Sequence, residues 1–273
     1  MAVDLLHSRR LHAAVLPIVL VLMLAGCEMS VGHLVGRASD EWTRTYPLAT
    51  GGELEIVNTN GKIEVEGTDG STVEIRAERI ARAATDAGAS ELLPRIIIRE
   101  TVKPDHISVV TERMSGFMFG ANFEVRYHVR APRNAVIRLT NTNGAVSATA
   151  TSGKLIARTT NGGVTAKGIA GAVDARTTNG GVNVDLASLS DRVTLQTTNG
   201  GVGLTVPPDA KADISASCTN GGISVSGLKM ETTESSRRHV EGKLNGGGPS
   251  IELRTTNGGI RVRSRAVEAE AQR

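Results

Sequence analysis

Few residues of this 273-residue chain have both the type and the spacing to do chemistry, and the first is a thiol. Cys27 closes Leu24-Ala25-Gly26-Cys27 directly after an apolar run, where a sulfur nucleophile is placed for acylation. Acylation of Cys27 leaves Cys218 without a partner in the chain, so no disulfide framework is expected even in an oxidising compartment. Glycosidase chemistry needs two carboxylates facing each other about 5–9 Å apart. The acids are instead isolated: Asp174 falls in a column between Ile156 and Thr194, Asp185 lies between Lys167 and Thr205, and Glu55 and Glu252 belong to opposite ends. His33, His106, His128 and His239 are scattered without ligand spacing, and no Gly-Gly-x-Gly-x-Asp calcium repeat occurs. We therefore expect no catalytic residues, no cofactor and no metal site. Two features are candidates for binding. One is an outward column of Arg158, Arg176 and Arg254, joined by Arg261 and Arg263 on the following strand. The other is Phe117-Met118-Phe119-Gly120 with Phe123, rings that either pack as a cap or form an exposed patch for a partner or membrane.

The elements that place these residues begin with an export signal. Arg9 and Arg10 form a basic leader, and Ala13–Ala25 is an apolar stretch too short to cross a bilayer core of about 30 Å as a helix. His12 and Ala13 stand where a twin-arginine signal wants bulky apolar residues, which favours the general secretory route. Leu-Ala-Gly-Cys resembles the lipobox of bacterial lipoproteins, which implies cleavage before Cys27 and diacylation of its sulfur. We read residues 1–26 as signal peptide and 27–41 as a lipidated tether reaching up to roughly 50 Å. Glu28 rather than Asp after the cysteine resembles sorted lipoproteins. It implies the outer membrane in a Gram-negative cell, and otherwise the chain sits on the extracytoplasmic face of the plasma membrane.

The body is repetitive. Asn60, Asn143, Asn161, Asn179, Asn199, Asn220 and Asn257 are each preceded by Thr and followed by Gly, at intervals of 83, 18, 18, 20, 21 and 37 residues. Six and four residues before each Asn stand apolar residues (Leu155 and Ala157, Val173 and Ala175, Val193 and Leu195), and Ile or Val stands three after it. Intervening positions are mostly polar, so each copy reads as strand, Asn-Gly corner, strand, with one face inward. A meander of Asn-Gly hairpins would explain the corner alone. Stacked coils also explain the fixed Thr and the small residue two before each Asn, because equivalent residues then touch and the amides can form a ladder. The expected fold is thus all-β, a β-solenoid or β-helix-like repeat domain with a capping strand region near its N-terminal end. A coil of 18 residues has a perimeter of about 60 Å, which side chains fill. The expected divisions are 42–135 for the first coil plus cap strands, 136–265 for the repeat with an insertion at 228–248, and 266–273 for a tail. Within the cap, strands are expected at Val73–Arg76, Ile96–Ile98, Ile107–Val110 and Phe123–Tyr127, with a short helix over Thr85–Leu93.

Gly51-Gly52-Glu53-Leu54-Glu55-Ile56 leading to Asn60-Gly61, the Thr-Asn-Gly-Gly-Val series, and the closing Gly246-Gly247-Gly248-Pro249 through Asn257-Gly258-Gly259-Ile260 resemble the bacterial "putative adhesin" family. The resemblance spans about residues 45 to 263. It implies a β-solenoid-like envelope domain and supplies no catalytic residues. Relatives often carry Asp after Asn-Gly where this chain has Gly, a departure that speaks against metal binding at the corner.

Composition narrows the function. A formal charge of +3 is too small to imply nucleic acid, and no aromatic residue follows Tyr127, so the repeats offer no stacking platforms. The expectation is an envelope lipoprotein held to the membrane by its lipid. It acts as a non-catalytic scaffold for anionic envelope polymers or envelope proteins. The alternative is a polysaccharide lyase or hydrolase on a β-helix, which depolymerisation of wall or capsular polymers would reveal.

Overall fold

In a computed structural model, residues 35–112 and 120–265 are described. The chain enters through β1 (Gly36–Pro47), β2 (Glu53–Asn60), β3 (Ile63–Thr68), β4 (Thr72–Ala83), the helix α1 (Asp86–Leu92), β5 (Ile98–Lys103), β6 (His106–Thr111) and β7 (Ala121–Pro132). Strand pairs follow: β8 (Val136–Asn143) with β9 (Val146–Thr149), β10 (Leu155–Asn161) with β11 (Val164–Ile169), and β12 (Val173–Asn179) with β13 (Val182–Leu186). Next come β14 (Val193–Asn199) with β15 (Val202–Val206) and β16 (Ala212–Asn220) with β17 (Ile223–Ser226). The hairpin β18 (Met230–Ser235) and β19 (His239–Leu244) precedes a final pair, β20 (Ser250–Asn257) and β21 (Ile260–Ser264).

Two sheets result. Sheet I, of eleven strands, runs β5-β6-β2-β8-β10-β12-β14-β20-β16-β19-β18, and sheet II, of ten, runs β1-β4-β7-β3-β9-β11-β13-β15-β21-β17. Neighbouring repeats are parallel and in register, Asn on Asn and inward position on inward position, so each strand pair is one rung of a solenoid. Alternation decides which face is inside. Leu155, Ala157, Val173, Ala175, Val193 and Leu195 from sheet I share one core with Val164, Val182, Val184 and Val202 from sheet II. Aliphatic side chains suffice because the two sheets meet directly.

The rungs do not stack in chain order. β20–β21 is wedged between β14–β15 and β16–β17, and β2–β3 lies between β8–β9 and the rung made by β6 and β7. That last rung carries no Thr-Asn-Gly corner, which is why period counting leaves it in the cap. Of the residues joining β6 to β7, 113–119 lie outside the described residues. The cap is otherwise antiparallel: β1 and β4 extend sheet II, and β5 closes sheet I. Thr85 caps α1, its hydroxyl accepting the Gly88 N–H at 3.1 Å.

Two boundaries differ from expectation. Residues 36–41, assigned to the tether, form the first half of β1 and pair with β4. β1 is an edge strand with mostly exposed side chains, so it has no apolar alternation to detect. Ile96 is buried at the end of a short 3₁₀ turn, and the strand starts only at Ile98.

Candidate interaction surface

The repeat places its polar residues by a simple rule. Counting from the corner Asn, even positions before it face inward, whereas positions −5, −3 and −1 face out. The asparagines form a single row in spatial order 60, 143, 161, 179, 199, 257, 220. Each Nδ2 donates to the Oδ1 of the Asn before it at 2.8 Å.

Position −2 explains the first threonine of each Thr-Thr-Asn-Gly. The hydroxyls of Thr159, Thr177, Thr197 and Thr255 donate to the carbonyls of Gly144, Gly162, Gly180 and Gly200 in the preceding rung, at 2.8–3.0 Å. Asn141 does the same with its amide to Gly61 O at 2.7 Å. These buried hydroxyls silence corner carbonyls that would otherwise lack partners away from water.

Cys218 occupies this position in the rung of β16, paired with Thr255 and 7% exposed. Its thiol makes no hydrogen bond among the described residues. A threonine there would face the Gly258 carbonyl as its neighbours face theirs. Cys218→Thr is therefore expected to stabilise by up to about 1 kcal/mol, the net worth of one hydrogen bond. Chemical denaturation checks the sign. Slow labelling of native wild-type protein by a thiol reagent is the companion expectation, since burial keeps the reagent from the sulfur.

The arginine column is rearranged relative to its linear reading. Arg158 and Arg176 are register neighbours on β10 and β12. Asp174 holds both: its Oδ1 accepts from Arg176 Nε at 2.7 Å and its Oδ2 from Arg158 Nη2 at 3.3 Å. Both arginines remain about half exposed, and the trio keeps one net positive charge. Arg254 is separated from Arg176 by Gln196 and pairs with Glu252 at 2.7 Å. Arg261 and Arg263 do not join this column, because β21 belongs to sheet II and the column lies on the outer face of sheet I. They line a 540 Å³ groove with Lys167, Asn183 and Asp185. Asp185 pairs with Arg265 at 2.6 Å rather than with Lys167.

A larger groove of 1170 Å³ lies over the outer face of sheet II at the capped end. Among its carboxylates, Glu64 meets Lys62 at 2.8 Å and His128 at 2.7 Å, Glu41 meets Arg76 at 2.7 Å, and Glu74 meets Arg130 at 3.4 Å. Asp40 pairs with Arg79 and Glu78 with Arg37. Glu66 alone among these acids has no ion-pair partner among the described residues.

Cys27, Phe117 and Phe119 lie outside the described residues. Phe123, Trp42 and Tyr46 pack partly buried against the core, and the Tyr127 ring is fully buried with its hydroxyl 2.7 Å from Thr111 Oγ1. Burial pushes the Tyr127 pKa upward. Linear reading missed one cluster. Glu234, His239 and Glu241 converge across the β18–β19 hairpin. The signal was the His-x-Glu spacing on one strand, which puts both side chains on the same face.

The family profile described as Toastrack DUF4097 matches residues 49–263. Among solved structures, a "putative cell adhesion protein" from Clostridium sporogenes aligns over 84% of this chain and 100% of its own, at 12% identity and a TM-score of 0.50. A "putative adhesin" from Bacteroides fragilis covers 83% and 97% at 10% identity, with a TM-score of 0.27. A "putative lipid binding protein" from Parabacteroides distasonis covers the same shares at 8% identity, also at 0.27. No curated protein matches.

Proposed function

Because the chain belongs to the Toastrack DUF4097 family, we propose that it is a lipid-anchored envelope scaffold that binds without turnover. The observation that carries this reading is the outer face of sheet I, where parallel in-register rungs repeat the same polar positions along a filled core. Parallel pairing spaces those positions by about 4.8 Å, so the surface is a ruler of side chains. The half-exposed Arg158–Asp174–Arg176 trio is its cationic mark. The adhesin-like names of similar structures agree with an interaction role, and the lipobox-like segment supports attachment through Cys27. The chain is then held at the membrane by acyl groups, facing anionic envelope polymers or envelope proteins.

The test is binding of the full chain in detergent to teichoic acid, lipopolysaccharide and anionic capsule. Asp174→Asn removes the only carboxylate between the two arginines and should bind most tightly. Arg158→Ser with Arg176→Ser inverts the sign of the trio and should bind least. All binding should weaken steeply with salt, because exposed charges are screened within about 8–10 Å near physiological ionic strength. Equal affinities for the three proteins, or indifference to salt, would remove the arginine pair from the function. Release of shorter polymer fragments would instead mark an enzyme.

A further inference from the structure

The hairpin that closes sheet I holds two carboxylates face to face. In the antiparallel register of β18 and β19, Glu234 lies opposite Glu241, while β16 places Ser215 beside Glu241 and Ser217 beside His239. Like charges directly opposite in an antiparallel pair repel and destabilise the sheet. Neither carboxylate has an arginine or lysine partner among the described residues. Their shared partner is His239, whose Nε2 lies 3.8 Å from Glu234 Oε2 and 3.3 Å from Glu241 Oε1. All three donor atoms fall within 4.8 Å of one another.

These separations have a chemical meaning. Nitrogen and oxygen ligands sit about 2.0–2.2 Å from zinc in a tetrahedral site, which puts neighbouring donors roughly 3.3–3.6 Å apart. The His239 nitrogen is already near that distance from both oxygens. Its backbone is fixed by the turn, where the Ser236 hydroxyl accepts the His239 N–H at 3.0 Å and Ser236 N–H donates to His239 O at 2.7 Å. Ser215 Oγ donates to Glu241 Oε1 at 3.4 Å and orients that carboxylate, as outer hydrogen bonds commonly do for metal ligands.

The geometry points to a zinc-class divalent metal site formed by Glu234, His239 and Glu241. One imidazole nitrogen and one oxygen from each carboxylate would supply three positions, leaving the fourth to water or a partner's donor. Imidazole and carboxylate together suit zinc better than magnesium or calcium, which prefer oxygen alone. Two carboxylates with a neutral imidazole balance a dication, which removes the repulsion across the hairpin. The inference stands apart from the polymer-binding reading, since the arginine trio takes no part in it.

Metal-stripped full-length protein, titrated with zinc against a chromophoric chelator, should take up one equivalent that Glu234→Gln and His239→Asn each weaken at least about 10-fold. Zinc should raise the melting temperature of the wild type and not of the variants. Glu234 is exposed, so Glu234→Gln should fold normally, melt at or slightly above metal-free wild type because the repulsion is gone, and gain nothing from zinc. Wild type that fails to compete with the chelator, or variants that hold zinc as well as wild type, would overturn the assignment.

Discussion

Gly180→Val should melt roughly 10–15 °C below wild type, and Gly180→Ala should lose nearly as much. At Gly180 φ is +152°, and a Cβ there would overlap the Gly162 carbonyl oxygen while lying 2.6 Å from the Gly162 carbonyl carbon and 3.0 Å from Gly163 N. Those are backbone atoms of the neighbouring rung, and they cannot turn aside as a side chain could. Gly162 N–H to Asn179 O ties these two rungs and Gly180 N–H to Asn199 O ties the second of them to the next, both 2.9 Å, so Gly180 cannot shift aside without breaking ladder bonds. Overpacking and backbone strain each cost about 1–3 kcal/mol, and together about 3–5 kcal/mol is expected. In a domain of this size each kcal/mol moves the melting point by roughly 2–4 °C. The clash begins at the first carbon, so β-branching is not what makes valine intolerable. The next glycine is the control. A Cβ at Gly181 would stand 3.4 Å from Gly201 O, an ordinary contact, and one at Gly222 would meet nothing within 4 Å. Gly222→Ala and the outward Asn183→Ser should stay within about 0.5 kcal/mol of wild type. Calorimetry on the four variants that gave one common melting temperature would reject this account of the corner.

Cys27→Ser should move the chain wholly from the membrane fraction to the soluble fraction. The expectation rests on the proposed acylation. Each buried CH₂ contributes about 0.8 kcal/mol, so several acyl chains hold a protein where one myristoyl chain barely does. Among the described residues no helix is long and apolar enough to cross a membrane. Fractionation reads the location, and mass spectrometry of the wild type should find an acylated Cys27 at the mature N-terminus. An unmodified Cys27, or a serine variant that still pellets with membrane, defeats the anchor.

The linear pattern carried the repeat because every part of it is local. Alternation of Val173 and Ala175 with Asp174 and Arg176 names the inward face, and Asn179-Gly180 names the corner, without knowledge of any other rung. What it could not carry was adjacency. Nothing in Thr255-Thr256-Asn257-Gly258 says that its rung stacks on the one ending at Asn199, since the rung of Asn220 offers nearly the same edge. The zinc-class triad and the Asp185–Arg265 pair depend on strand pairing across hairpins and between distant rungs, so spacing along the chain hid them. β1 was hidden differently: an exposed edge strand has no reason to be apolar.

The wedged position of β20–β21 has a consequence for how the chain is made. Synthesis delivers residues in order, so the rung of 212–226 emerges before the rung on which it must rest. Its Thr-Asn-Gly-Gly edge matches the waiting edge at Asn199 almost as well as the proper one does, because the same residues face both. Premature stacking of Asn220 on Asn199 fills the gap with the wrong neighbour, a competing arrangement of the kind that roughens a folding landscape. Ordinary solenoids elongate outward from any nucleus. Here residues 250–264 act as a keystone, and a nascent chain is committed to its native stack only after they have emerged.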